Sequence, residues 1–315
     1  MGERDQRVNG LLVELGRQIA TRWLTTLLIP GLLWVCVAVP ACQLGWAHAL
    51  DPHAAEPLLR WFVSRRPAGQ NIALAVAVLM AALGVGMTAT GVPAILRLLR
   101  PVAARSAPAR RLRTARLARW ERARRAAEHL EAEALRAADG GSTIVGPQIA
   151  QARARQYAIS LEEPAHATWV GDRLRANMLR IHRGYGLDVA LVWPRLWVIL
   201  PDSLRADISA VQNSYAAAGV TVGWAVLYAA LGLVWGPALL IAVAVLAVAF
   251  VRARSATEVL CQLVESATDL YASALADQLH IPCTGVLTPD LGHLVNEVLR
   301  KEPPQNPSRF TPRPP

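Results

Sequence analysis

Long uncharged blocks alternate with strongly charged ones along this chain. Trp23 to Ala47 carries no charge over 25 residues, Pro67 to Leu96 none over 30, and Ala216 to Val251 none over 36. At 1.5 Å per residue, a helix needs about 20 apolar residues to cross about 30 Å of hydrocarbon. The first two blocks therefore predict one span each, at 23–47 and 67–96. As a single helix the third would measure about 54 Å, far more than a bilayer needs. Gly236-Pro237 offers a break, so the block predicts a hairpin of two spans, 216–234 and 238–251. The pattern is that of an all-α integral membrane protein with about four transmembrane helices.

Smaller signals refine the spans. In residues 1–22, Val8, Leu11, Leu12, Leu15 and Ile19 recur at helical spacing while Arg4, Arg7, Glu14 and Arg17 fall mostly elsewhere. This predicts an amphipathic helix on the membrane surface that feeds the first span. Trp23 and Trp46 suit the two interfaces. Pro30 and Pro40 bend the span between them, which is too long for a cleaved signal peptide and lacks a small-residue cleavage site. The small residues from Gly84 to Gly91, and the Gly219/Gly223 pair, predict close helix contacts, within the chain or between copies in a homo-oligomer. The spans hold no Asp, Glu, Lys, Arg or His, which argues against ion-coupled transport.

Charge sets the orientation. Residues 97–214 hold 20 Arg and 11 acidic residues, and Arg252 and Arg254 follow the last span. Basic residues beside spans favour the cytoplasm, so 97–215 and the helical segment 252–300 are read as cytoplasmic. The 48–66 loop, with three Arg, is read as extracytoplasmic, and both termini lie inside. The 301–315 tail is Pro-rich and predicted disordered. The chain has 33 basic residues, all Arg except Lys301. This usage points to a GC-rich genome and so to a bacterial cytoplasmic membrane.

The basic region centres on an Ala-rich stretch from Arg110 to Arg136 without Gly or Pro, which predicts a long helix. It carries Arg110, Arg111, Arg113, Arg116, Arg119, Arg122, Arg124 and Arg125, and its thin apolar seam is Leu112, Ala115, Arg119, Ala123, Ala126 and Leu130. These arginines are the candidate binding residues for anionic head groups, at about 1 kcal/mol per basic residue near the surface, or for a cytoplasmic protein. A nucleic-acid partner is disfavoured, because no recognition fold or stacking platform accompanies the charge. Asp139-Gly140-Gly141-Ser142 ends the helix. A further helix is predicted over 168–181 with Leu174 and Met178 on one face.

The segment from Tyr185 to Asp202 is apolar, Trp-rich and interrupted by Pro194. Tyr185, Asp188, Trp193, Pro194, Arg195 and Trp197 form a candidate interfacial motif. The expectation is a strand-turn or half-helix at the membrane interface with Arg195 snorkelling to phosphate, the alternative being a re-entrant gate or ligand platform. Leu204, Ile208, Val211 and Tyr215 then share a face. Val259, Leu263, Ala267, Leu270, Ala274 and Leu275 make a helical stripe, and Thr288-Pro289-Asp290 opens another helix.

Signatures of chemistry are missing. There is no GxxxxGK[ST], HExxH, paired CxxC or GxSxG, each of which supplies a specific phosphate, metal or nucleophile geometry. Cys36, Cys42, Cys261 and Cys283 have no ligand or redox spacing and read as small buried apolar residues. His48, Asp51 and His53 read as a solvated loop. No cofactor or metal is expected. The leading expectation is a non-enzymatic membrane platform that binds a protein or anionic lipid through the basic region. The alternative is a small oligomeric channel or membrane-permeabilising effector. An enzyme acting on lipid would have only Asp188, His182 and Arg195 to work with.

Several stretches resemble a family of uncharacterised multi-pass membrane proteins of actinobacteria. They are Arg22-Trp23-Leu24 through Ile29-Pro30-Gly31-Leu32-Leu33, the Tyr185-Gly186-Leu187-Asp188 and Trp193-Pro194-Arg195-Leu196-Trp197 pattern, and Asp269-Leu270-Tyr271. Gly171-Asp172-Arg173-Leu174-Arg175-Ala176 is similar to a family variant with Asn in place of Asp172. The resemblance covers most of the chain apart from the basic loop around 101–150. It implies the multi-pass topology and brings no activity or catalytic residues.

Overall fold

The computed structural model describes residues 27–45, 68–138, 146–283 and 285–301. Among these residues all regular structure is helical: α1 (Ile29–Leu44), α2 (Ala68–Arg105), α3 (Ala107–Ala138), α4 (Gly146–Ile159), α5 (Trp169–Tyr185), α6 (Val189–Ile199), α7 (Asp202–Leu231), α8 (Pro237–Gln278) and α9 (Pro289–Arg300). The amphipathic helix expected at 1–22, the 48–66 loop, the Asp139–Ser142 stop and the tail beyond Lys301 lie outside the described residues. The chain divides into two compact units, one of residues 1–99 with 216–251, the other of 100–215 with 252–315.

The first unit buries small residues and exposes large ones. Ala38, Ala41, Ala82, Ala89, Ala218, Ala238, Ala242 and Ala249 are buried, while Leu33, Ile72, Met80, Met87, Leu240, Val243 and Phe250 are exposed. This inverts the soluble rule and suits lipid, where close backbone approach drives helix packing. Gly31 lies against the Ala82 carbonyl and Gly223 against the Ala89 carbonyl, each too close to admit a Cβ. The Gly219/Gly223 face is thus filled within the chain by α2, with Gly219 beside Pro93. Gly86 meets Leu27, whereas Gly84 and Gly91 face open space. Ala38 and Ala41 of α1 cluster with Leu231 and Ala238 at the α7–α8 turn.

Among the described residues three helices are long and apolar enough to cross a membrane, Gln70–Ile95, Asp202–Leu231 and Pro237–Gln278. The first expected span is described only as α1, a 16-residue helix about 24 Å long, shorter than a span. The hairpin break falls at 232–236, where Trp235 N–H donates to the Leu231 carbonyl at 3.0 Å and Pro237 begins α8. The lead-in and the segment expected as a third span form one unbroken helix, and so do the segment expected as a fourth span and the sequence that follows it. No proline lies within 202–231 or 238–278, and charge alone does not stop an Ala-rich helix.

The second unit has a core of its own. Ile181, Leu187, Val192, Leu196, Leu200, Ile208, Leu275, Ile281, Leu287 and Val295 are buried together, drawn from α5, α6, the start of α7, the end of α8 and α9. Beside it, α3 and α4 run antiparallel. Trp120 Nε1 donates to the Ser160 carbonyl at 2.9 Å and Arg153 grips both Glu131 oxygens at 2.7 and 2.6 Å.

Burial moves the predicted seam of α3 by part of a turn. Trp120 and Ala127 are buried, whereas Leu112 is 59% exposed. The tryptophan reaches across to the end of the partner helix, while Leu112 stays outside. On α5, Val170, Ala176 and Ile181 are buried while Met178 is exposed, and on α8 Val259 and Leu270 point outward. Thr168 caps α5 by accepting from the Gly171 N–H at 3.4 Å. α9 begins at Pro289 as predicted, with Thr288 at its N-cap.

Candidate functional site

Of the eight candidate arginines on α3, seven (Arg110, Arg111, Arg113, Arg119, Arg122, Arg124 and Arg125) are exposed and only Arg116 is partly buried. At 100° per residue, Arg111, Arg122 and Arg125 fall opposite Trp120 and Ala127, and Arg110 and Arg119 stand at the two edges of that face. Local contacts restrain some of them. Arg124 donates to Glu128 at 2.7 Å and lies over the Trp120 ring, Arg125 pairs with Glu121 at 3.8 Å, and Arg122 donates to the Ala118 carbonyl at 3.1 Å. Exposed i,i+4 pairs of this kind contribute little, so the face remains strongly positive.

Arg116 does different work. Its Nη2 donates to Asp172 Oδ2 at 2.8 Å and to the Ile159 carbonyl at 3.1 Å. With Trp120 on the Ser160 carbonyl, it satisfies carbonyls at the end of α4 that no helical N–H can reach. Arg116 therefore leaves the candidate binding set. Its position one turn before Trp120 was the available signal.

The candidate motif at 185–197 forms a corner between two helices. Tyr185 ends α5, and Gly186 turns the chain at φ 69° with its N–H donated to the His182 carbonyl at 2.8 Å. Asp188 caps α6 by accepting from the Ala190 N–H at 3.1 Å. Asn296 of α9 clamps the corner, donating to the Gly186 carbonyl at 2.8 Å and accepting from the Asp188 N–H at 3.0 Å. Gly292 lies against the Tyr185 carbonyl with no room for a Cβ. Neither Asn296 nor Gly292 stood out in the sequence, because a lone Asn or Gly carries no spacing signal.

α6 is a helix around Pro194, not a strand-turn. Its Val192 and Leu196 are buried in the core, Trp193 and Trp197 are half-buried with ring centroids 6.0 Å apart, and exposed Arg195 donates to the Leu191 carbonyl at 2.9 Å. Tyr185 OH donates to Asp269 Oδ1 at 2.8 Å, and that bond, with some burial, raises the phenol above its ordinary value. The six motif residues thus share one corner but do not converge on one site. His182 and Asp188 do line a cleft of about 470 Å³ with Arg175, His293, Glu297 and Arg300. Arg195 is not among the residues that line it, so the trio of Asp188, His182 and Arg195 does not meet in this cleft.

A buried polar cluster went unnoticed in the sequence. Asp172, 3% exposed, accepts from the Ala165 and His166 N–H groups at 2.9 and 2.8 Å as well as from Arg116. Its neighbour Arg173, 7% exposed, donates through Nε and Nη2 to both oxygens of Glu258 at 2.9 Å. That pairing holds the Glu258 carboxyl below the usual carboxylate range. The Cys261 thiol is pushed up to about 11 by burial and contacts the Arg173 carbonyl. Among the cysteines, Cys261 is buried while Cys36 and Cys42 are exposed on α1, against the expectation for those two. Among the described residues no cluster of three or more His, Cys, Asp or Glu could hold a metal ion.

Compared with protein-family models, curated proteins and solved structures, the chain matches none.

Proposed function

We propose that this chain is a non-enzymatic platform in a bacterial cytoplasmic membrane, crossing it about four times with both termini inside. Its helical second unit engages anionic lipid head groups through the arginine face of α3. The observation that carries this reading is the division of labour on α3, where Arg116 and Trp120 hold the helix to its neighbours. Seven arginines are left exposed. A helix anchored by one face and charged on the other presents a fixed cationic surface, and each basic residue near an anionic leaflet contributes about 1 kcal/mol. The exposed apolar side chains of the first unit supply the membrane anchor.

The test uses the full chain in lipid nanodiscs containing a photoactivatable phosphatidylglycerol. Crosslinks should map to α3 peptides and fall severalfold when Arg110, Arg111, Arg119, Arg122 and Arg125 are changed to Gln. Crosslinks confined to the spans would remove the lipid-surface role. Recovery of a protein lost on deleting 101–138 would move the platform to a protein partner.

A further inference from the structure

Ser160 at the end of α4, Trp169 and Arg173 of α5, and Arg254 and Glu258 of α8 surround a cavity of about 180 Å³, with Tyr157 at its side. Two of the lining residues carry a polar atom that lacks a partner. Glu258 uses both oxygens on Arg173, through Nε and Nη2. Arg173 Nη1 stays buried with no partner among the described residues, and so does Ser160 Oγ. Ser160 is 3% exposed, and it is pinned by its backbone: its N–H donates to the Gln156 carbonyl at 3.2 Å and its carbonyl accepts from Trp120. The hydroxyl is thus held in place without a task of its own.

Arg254 adds the second cation. Its guanidinium carbon lies 4.4 Å from the Trp169 ring centroid, which uses the flat face and leaves the in-plane N–H groups free. Two arginines against one carboxylate give the cavity a net positive charge. A buried polar atom without a partner costs about 1–3 kcal/mol, and here two occur on residues that line one small space. The missing complement is an anion with several acceptor oxygens.

We propose that this cavity is a binding site for a phosphate-class oxyanion, held by Arg173 Nη1, the Ser160 hydroxyl and Arg254. Donors come from the residue that follows α4, from α5 and from α8, which suits a tetrahedral group better than a planar carboxylate. The volume also leaves room for waters at about 30 Å³ each. The phosphate has two sources, a soluble ion or the phosphomonoester of a lipid. Arg254 follows the last uncharged block by three residues, so both sources are tested. This inference is independent of the arginine face on α3.

The experiment titrates the full chain in neutral detergent micelles with inorganic phosphate, and separately with short-chain phosphatidic acid against phosphatidylcholine, by calorimetry. Four proteins are compared: the unaltered chain, Ser160→Ala, Arg254→Gln, and the five-fold Arg→Gln variant of α3. One phosphate source should bind saturably at one site per chain. Each single variant should weaken it about tenfold, the worth of one charge-assisted hydrogen bond, and the α3 variant should bind as before. Binding of phosphate alone assigns a soluble anion, and binding of phosphatidic acid alone assigns the lipid. Ser160→Ala removes an unpartnered hydroxyl, so without ligand its melting temperature should not fall. The proposal is overturned if neither source saturates, if both single variants bind normally, if acetate binds as tightly, or if binding disappears in the α3 variant instead.

Discussion

Arg116 of α3 and Asp172 of α5 meet at 2.8 Å across 56 residues of sequence, with the aspartate side chain only 2% exposed. The pair ties the basic helix to the core-bearing part of the second unit and separates one structural arginine from its solvent-facing neighbours. Replacing Arg116 by Ala strips a donor from a buried carboxylate and from the Ile159 carbonyl. The expected cost is about 2–3 kcal/mol, read as a lower denaturation midpoint of the full chain in detergent. Arg122→Ala should stay within about 0.5 kcal/mol. Equal effects from the two would contradict the assignment.

The corner at 186–188 predicts a second, larger effect. Asn296→Ala leaves the Gly186 carbonyl and the Asp188 N–H without their partner, at about 1–3 kcal/mol for each buried group. Gly292→Ala forces a Cβ into the Tyr185 carbonyl, where backbone on both sides leaves nothing flexible to yield. Both variants should lower the thermal midpoint markedly, while Arg195→Ala, exposed on the same helical corner, should not.

Acid should weaken the second unit in a direction fixed by Glu258. Arg173 holds its carboxyl below the ordinary range, so the pair's stabilisation is complete above the unfolded-state carboxylate pKa of about 4.3 and is lost as pH falls through the lower folded value. Glu131, held down by Arg153, acts in the same sense. Glu258→Gln should flatten the decline of melting temperature below about pH 4 and also lower stability at pH 7, because buried Arg173 loses its counter-charge. An unchanged acid slope would show that the pair does not form.

In the first unit, Gly223→Leu should separate α7 from α2, since the Ala89 carbonyl occupies the space a side chain would need. Gly84→Leu meets nothing and should leave the monomer folded. A thermal-aggregation assay in detergent distinguishes them. If Gly84→Leu alters oligomeric state alone, the open glycine face serves contacts between copies.

How much of this was legible beforehand follows from the physics of each signal. Charge-free runs, the Gly236-Pro237 break and the Thr288-Pro289 helix start are local in sequence and could be read directly. The α3 seam was misplaced because Leu112 and Ala126 looked like the apolar face, while the buried face is chosen by Trp120, whose indole needs an acceptor on another helix. Asp172 and Arg173 entered only through a resemblance, and their pairings, like those of Ser160 and Asn296, were silent because the partners lie at Arg116, Glu258, Trp120 and Gly186. Such pairings between distant residues leave no periodicity. The Trp-rich stretch around Pro194 offered a strand-turn or a half-helix, and α6 forms as a helix whose Val192 and Leu196 are buried in the core of the second unit.

The central claim, that the arginine face of α3 meets an anionic surface, is tested most directly by one probe. Ala118 is exposed and lies in the middle of that face. In a background with the four native cysteines changed to Ser, Ala118→Cys carries an environment-sensitive fluorophore, and the full chain is placed in phosphatidylcholine nanodiscs with or without phosphatidylglycerol. The emission should shift to the blue with the anionic lipid, return as salt rises and the Debye length shrinks from about 10 Å at 0.1 M to about 3 Å at 1 M, and stay unshifted in the five-fold Arg→Gln variant. An emission that ignores lipid charge and salt alike would contradict the account.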